Sequence, residues 1–360
     1  MTNEANHNSN VATSAAARLA AALDPAARSR AETFGKLNSM YIESEQHVRV
    51  NAATTEIIEN AAAAFSGEVG KRRALFVLGE SGSGKTTALK YTLLSRPELK
   101  PYFDERGNEI RPLIHFEAPK PTSMKLLGRK IIEATGYPLS DAARYTENEL
   151  FELAKRTLRE RQVMFLYIDE MQHVLRANKK ADIVNVADTL KSLLQIENWP
   201  LHLIIAGMPV LAKFMEHETQ LRNRSLIVSL EQVAFPADLE RVKVIGIGII
   251  RGHAGLEVND ALFTNDFVHK LINASDGGFG TIIQMTRGAC QIAMRNGLSE
   301  VTNEHFAACY ALSTGSQPVH NIFLSADWRS LSPSTTLADL AAKQARADRV
   351  AKATSAAREA

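Results

Sequence analysis

The sequence predicts an α/β fold, a central parallel sheet flanked by helices and followed by a small all-α domain. Three observations lead there. Short apolar runs alternate with segments of helical period between residues 74 and 230, as they do where crossover helices cover both faces of a parallel sheet. The first run stops at a glycine-rich loop that leads straight into a helix. After about residue 236 the strand-like runs cease and helical segments follow one another.

In chain order, residues 1–40 are polar and then Ala-rich, which predicts a mobile arm with one fragile helix. The helix-compatible stretch Glu43 to Ala64 leads through Lys71, Arg72 and Arg73 into Ala74-Leu75-Phe76-Val77-Leu78, the composition of a buried strand. A helix over about 85–95, a second strand from Pro112 to Phe116 and a helix from Thr122 to about Ala134 follow. Thr146 to Arg161 reads as a helix with Glu147 and Glu149 in its first turn, where the dipole favours carboxylates. Val163 to Ile168 is a third strand, and Ile183 to Leu194 keeps a helical period. Leu201 to Ala206 is a fourth strand and Ser225 to Leu230 a fifth. Pro236 to Arg251, Leu262 to Ala274, Thr281 to Asn296 and Thr302 to Leu312 supply the second domain.

Composition limits what the chain can do. Over 360 residues, 45% hydrophobic and 23% charged residues are enough for a real core and exclude a mainly disordered chain. Lys and Arg number 42 against 40 Asp and Glu, a net charge of +2, so nucleic-acid binding would need a local patch or several subunits acting together. Cys290 and Cys309 form neither a disulfide framework nor a zinc motif. The longest apolar candidate, Val242 to Ile250, is broken by Gly246 and Gly248 and carries Lys243, so no membrane span is expected. The N-terminus has no basic-then-apolar signal, and a cytoplasmic protein is expected.

Gly79-Glu80-Ser81-Gly82-Ser83-Gly84-Lys85-Thr86 fits the phosphate-loop pattern, with a strand before it and a helix after it. Its glycines let backbone N–H groups curl around phosphates, and the helix N-terminus adds its positive end. Lys85 is expected to reach the β- and γ-phosphates and the Thr86 hydroxyl to face Mg2+, with Thr87 completing the cofactor contacts. Phe165-Leu166-Tyr167-Ile168-Asp169-Glu170 supplies an acid at the tip of another strand. Asp169 is expected to hold the Mg2+ and Glu170 to activate the attacking water. The expected reaction is Mg2+-dependent ATP hydrolysis, since a water-activating Glu has little use in phosphoryl transfer to another acceptor.

The order of P-loop, helix, long insertion, acidic strand, two further strands and helical lid resembles the AAA+ ATPases. The resemblance implies an AAA+ nucleotide-binding domain over 41–235, a lid over 236–314 and a tail over 315–360 that either docks a partner or packs on the lid. It also implies a polar sensor at the tip of the fourth strand, an arginine finger before the fifth and a second sensor arginine in the lid. Here the fourth strand ends Ile205-Ala206-Gly207-Met208-Pro209, without Asn, Ser or Thr at the tip. Arg222 and Arg224 stand where the finger belongs, Arg224 slightly favoured, and Arg287 is a weak substitute for the lid arginine. Within the superfamily, Tyr41-Ile42-Glu43-Ser44, the GESGSGKTT loop, Phe116-Glu117-Ala118-Pro119, Leu126 to Pro138, IDEMQH and IIAGMP look like the TniB/TnsC group, related to MuB and IstB. That likeness implies a transposition ATPase forming homo-oligomeric rings or helical filaments on double-stranded DNA. Such a protein recruits or stimulates a DDE transposase, sometimes with a target-selection accessory protein.

Lys120, Thr122, Lys125 and Arg129, with Ser123 and Lys130 beside them, cluster after the second strand. Such residues contact phosphates and carry no base code, so DNA contact there would be sequence-nonspecific. The alternative is a solvated helix face. The basic run from Ala338 to Ala360 is either a DNA-touching or a solvated helix, and His173 either senses the site or packs. Rival functions are a nucleotide-dependent interaction switch, an ExeA-like secretion ATPase and an initiator- or loader-like ATPase.

Overall fold

The computed structural model describes residues 13–120, 123–140, 144–176 and 180–333. They divide into two compact units, one spanning Tyr41–Glu231 and the other joining residues up to Met40 with those from Gln232 onward.

The first unit is built on five parallel strands: β1 (Ala74–Gly79), β2 (Leu113–Glu117), β3 (Phe165–Asp169), β4 (His202–Gly207) and β5 (Ser225–Leu230). They lie in the order β2-β3-β4-β1-β5. Between β1 and the acidic strand β3 therefore sits β4, paired to β1 from Ala74↔Leu203 to Leu78↔Gly207 and to β3 from Phe165↔His202 to Ile168↔Ile205. β1, β3 and β4 are buried along their whole length, because side chains alternate between two covered faces. Leu75, Val77, Phe165, Tyr167, Ile204 and Ala206 pack on one face with Val50 and Ile57 of the helix Glu45–Ala62. Phe76, Leu78, Leu166, Ile168, Leu203 and Ile205 pack on the other with Leu127, Ile131, Leu158 and Leu190.

Local signals set the flanking helices. Thr146 and Glu149 form a reciprocal capping box that starts Glu147–Glu160, and Ser123 accepts from the Leu126 N–H at 3.3 Å to start Met124–Ala134. A two-strand ribbon, Tyr102–Phe103 with Glu109–Ile110, precedes β2 and has no counterpart in the sequence reading.

The second unit is helical: Leu239–Ile247 running into a π-helical turn Gly248–His253, then Asn265–Ala274, Phe279–Arg295 and Asn303–Thr314. Two expectations differ here. Pro25–Ser39 is a docked helix, not part of a mobile arm: Leu37 is buried, Arg287 donates to the carbonyls of Asn38 and Met40, and Arg295 lies 5.5 Å from the Phe34 ring. The tail segment around Ile322, Phe323 and Trp328 packs back on the bundle, its rings against Phe267, Phe306, Tyr310 and His269. Of the same stretch, Leu324 remains half exposed. The basic run Ala338 to Ala360 lies outside the described residues. No helix of the described residues is long and apolar enough to cross a membrane.

Candidate functional site

All the expected phosphate and metal residues meet at the C-terminal edge of the sheet in the first unit. β1 ends at Gly79, and the next five residues turn back into the helix Lys85–Leu94. Gly82 and Gly84 adopt φ of 77° and 94°, a region closed to most side chains, so this turn needs glycine at both positions. Lys85 is buried, and its ammonium donates to the Gly79 and Glu80 carbonyls at 2.7 and 2.9 Å, with Ser83 Oγ at 3.5 Å. Burial pulls its pKa below the ordinary lysine value, and the carboxylates of Glu170, Asp169 and Glu80 oppose that shift. Ser81, Gly82 and Thr87 are exposed around the loop.

β3 delivers the acids. Asp169 is buried and its carboxylate accepts three bonds: from the Thr86 hydroxyl at 2.8 Å, the Tyr167 hydroxyl at 2.8 Å and the Glu170 N–H at 2.8 Å. Tyr167 and Asp169 share a face because they are two positions apart on one strand. Burial, then the Asp169 charge, push the Tyr167 hydroxyl well above its ordinary pKa and hold it as a donor. Glu170 turns out of the strand at φ 54°, an unusual conformation for a non-glycine residue. Its carboxylate accepts from the Gln172 amide N–H, while the Gln172 carbonyl oxygen accepts from the Met208 N–H at 3.1 Å. Sequence reasoning missed Gln172. Its amide fills the space beside Gly207, where no polar side chain ends the fourth strand.

The other assignments separate. Arg222 and Arg224 precede β5, whose first residue Ser225 pairs with Ala74, so they lie at the opposite, N-terminal edge of the sheet. Arg222 is exposed. Arg224 is half-buried, and with the Gln195 amide oxygen turned towards it both guanidinium Nη atoms lie within 2.9 and 3.1 Å. Lys120 and Lys125 are exposed beyond β2, at the edge of the sheet that carries the phosphate loop, and Arg129 is half-buried on the same helix as Lys125. Lys120 is paired with Glu117 at 3.1 Å. Thr122 lies outside the described residues. His173 follows Gln172 and is half-buried. Arg287, the candidate lid arginine, donates through its two Nη atoms to the Asn38 and Met40 carbonyls of its own unit.

The loop, the acids and the β2-β3-β4-β1-β5 order together decide the fold, and residues 69–215 match the family described as AAA domain. The fold is that of an AAA+ P-loop NTPase. AAA domains are, as a class, nucleotide-hydrolysing modules. Among solved structures, Cdc6p from Pyrobaculum aerophilum aligns with 76% of this chain and 69% of its own at 12% identity and a TM-score of 0.50. The ORC2 protein of Aeropyrum pernix, in ADPNP and ADP complexes, aligns with 76% of this chain and 70% of its own at 18% identity and a TM-score of 0.50. The ORC1 protein of the same organism, in complex with DNA, aligns with 73% of this chain and 65% of its own at 16% identity and a TM-score of 0.51. At such identities the likeness is one of fold. Among curated protein sequences, none matches this chain.

Proposed function

We propose that this AAA+ protein hydrolyses ATP and assembles as a ring or helical filament on duplex DNA, where it recruits or activates a DDE transposase. The observation that carries the hydrolytic part is the contact between Thr86 and Asp169 at 2.8 Å, beside Lys85 and Glu170. A hydroxyl and a carboxylate oxygen are hard donors of the kind Mg2+ prefers, so the pair fits that ion, and Thr86 and Asp169 would hold it. When bound, Mg2+ neutralises charge on the β- and γ-phosphate oxygens. The chain's own groups do the rest. Backbone N–H groups of the loop and the first helical turn cradle the phosphates, Lys85 adds its charge, and Glu170 orients water and takes its proton.

The DNA part rests on Lys120 and Lys125 and on the short stretches resembling the TniB/TnsC group. The Lys120–Glu117 pair is exposed on both sides, and such a pair is worth about 0–1 kcal/mol, so exchange of Glu117 for a DNA phosphate costs little. The Aeropyrum pernix ORC1 protein, which shares the fold, was solved with DNA. That structure also supports a second reading, an initiator- or loader-like ATPase.

The test is electron microscopy and ATP turnover of purified protein with linear duplex DNA, beside Lys85→Ala, Glu170→Gln and the double variant Lys120→Ala with Lys125→Ala. Expected are ATP-dependent assemblies with wild type, none with Lys85→Ala, longer-lived ones with Glu170→Gln, and lost duplex binding with retained nucleotide binding in the double variant. No duplex binding by wild type at low salt overturns the DNA reading. ATP binding without turnover overturns hydrolysis in favour of a nucleotide switch. A DDE transposase that binds the assembly and raises turnover supports transposition, whereas indifference to it favours the loader reading.

A further inference from the structure

We infer that Gln172 is a positioning residue for the hydrolytic reaction, holding the Glu170 carboxylate in register with the end of β4. Three independent contacts lead to this. Gln172 is 2% exposed, so its amide has been taken out of water and must be satisfied inside the protein. It is satisfied at both ends: the N–H side donates to the Glu170 carboxylate and the carbonyl side accepts from the Met208 N–H at 3.1 Å. The third contact is steric. A Cβ placed on Gly207 would lie 2.5 Å from the Gln172 oxygen and 2.6 Å from Leu211 Cδ1, so the glycine that ends β4 is the space the amide occupies.

The arrangement has a mechanical consequence. Glu170 leaves β3 in a left-handed conformation, so its carboxylate is aimed by something other than the strand pleat. The backbone fixes the neighbouring residue, since the Met171 N–H donates to the Ala206 carbonyl at 3.0 Å. The side chain of Glu170 is then fixed through Gln172 to Met208, two positions beyond Ala206 on the same strand end. One amide thus links the carboxylate that handles the attacking water to the backbone of β4. A change at that strand end reaches Glu170 directly, and a displaced Glu170 reaches Met208. Aligning a general base sets the rate of the chemical step rather than the affinity for nucleotide.

This assignment rests on the ATP-hydrolysis reading, so the experiment separates the two. Steady-state ATP turnover and equilibrium binding of a fluorescent ATP analogue are measured on the full chain for wild type, Gln172→Ala, Gln172→Met and Glu170→Gln. Gln172→Met keeps the length and bulk of the side chain while removing both hydrogen bonds, and it serves if the alanine variant does not fold. A positioned general base supplies about 10²–10⁴-fold, so loss of its alignment is expected to lower kcat by about ten- to a hundredfold, with KM and analogue affinity within about twofold of wild type. The decisive variant moves the polar group to the strand. Gly207→Asn alone is expected to lose activity, because its Cβ collides with the Gln172 oxygen. Combined with Gln172→Ala, which vacates that space, Gly207→Asn is expected to recover at least a third of wild-type kcat, Leu211 Cδ1 being the flexible end that must shift. Wild-type turnover that Gln172→Met retains in full overturns this assignment and leaves hydrolysis standing. Failure of the double variant to exceed Gln172→Ala, with both folded and binding the analogue, also overturns it. Absence of turnover in a wild type that binds the analogue overturns the hydrolysis reading and this assignment with it.

Discussion

Acidification from pH 7 to pH 5 should weaken the α/β unit by about 2 kcal/mol through one side chain, His202, at the start of β4. Its imidazole is 0% exposed. Nδ1 lies 2.7 Å from the Pro200 carbonyl and Nε2 lies 3.2 Å from the Asn60 amide nitrogen. Only the neutral tautomer with its proton on Nδ1 satisfies both, because Nε2 must then accept from Asn60. A second proton would set donor against donor at a fully buried ring, beside the positive charge of Arg73. Burial first, with Arg73 adding to it, accordingly pushes the His202 pKa down to about 4 from the ordinary 6.5, against the Pro200 bond that favours the charged form. Between those two values the unfolded chain binds the proton and the folded chain refuses it. The contribution to stability is therefore complete above about pH 6.5, falls as the pH drops through the window, and flattens below about 4. With those pKa values the difference in proton binding is worth about 2 kcal/mol at pH 5 and about 0.2 kcal/mol at pH 7. A folded pKa one unit higher would still leave more than about 1.5 kcal/mol at pH 5. The assay is urea unfolding at pH 7, 6 and 5 followed by fluorescence of Trp199, in a Trp328→Phe background so that the α/β unit alone is reported. His202→Gln, compared in that background, removes the titration, and its stability should fall less than its parent's by about 2 kcal/mol over the same interval. Parallel pH profiles for the two proteins would refute the reasoning, because the proton would then be accepted in the folded state as readily as in the unfolded one.

Two further perturbations test the site and the second unit. Tyr167→Phe removes one of the three donors on the buried Asp169 carboxylate and should cost about 1–3 kcal/mol in urea unfolding, whereas an unchanged midpoint would mean that the hydroxyl does not serve Asp169. Gly277→Ala forces an alanine to φ 67° and places its Cβ 2.8 Å from the Val233 carbonyl, so a lower thermal midpoint, by about 1–3 kcal/mol of stability, is expected for the helical unit; an unaffected midpoint would contradict the close approach.

The sheet was legible because both of its faces are covered: Ala74 to Leu78 and Leu203 to Ala206 are unbroken apolar runs, and a glycine ends each of these two strands. The start of β3 was placed too early for a local reason. The Val163 N–H still donates to the Leu158 carbonyl at 2.9 Å, so that residue belongs to the exit of the preceding helix. The helix expected from Pro236 to Arg251 gives way at Gly248 to a π-helical turn, in a stretch where Gly248 and Gly252 give the α-helix little local support. The ribbon over residues 102–110 escaped because its strands are two residues long and its organising feature is one side chain. Asp104 Oδ1 accepts from the N–H groups of Arg106 and Asn108 at 2.9 and 2.7 Å. The docking of Pro25–Ser39 carries no local signal at all, since its C-terminal carbonyls are held by Arg287 from nearly the other end of the chain. At the site, Lys85, Thr86, Asp169 and Glu170 could be read from spacing, because a strand tip and a helix start fix where such residues point. Gln172 could not. Its role depends on β3 lying beside β4, a pairing between segments more than thirty residues apart. The one trace in the sequence is the glycine at position 207, where a side chain would have displaced the amide.

The same sheet polarity limits what the two arginines before β5 can do. Parallel strands put every C-terminus at one edge, and the phosphate loop and both acids are there. Arg222 and Arg224 enter at the other edge, where the Arg224 carbonyl accepts from the N–H groups of Arg73 and Ala74 at 2.9 and 3.0 Å. The six residues of β5 span on the order of 20 Å. Neither guanidinium therefore reaches the phosphates of its own chain, and the proposed finger role requires a second copy whose N-terminal sheet edge faces this site. Of the two, Arg224 is held by Gln195 and is only half exposed, so delivering it to a neighbour means breaking a contact already made. Arg222 ends the short helix Thr219–Arg222 in the open. Exposure thus separates the two: a finger role, expected slightly more of Arg224 from its position before the strand, would cost Arg222 no contact and Arg224 its contact with Gln195.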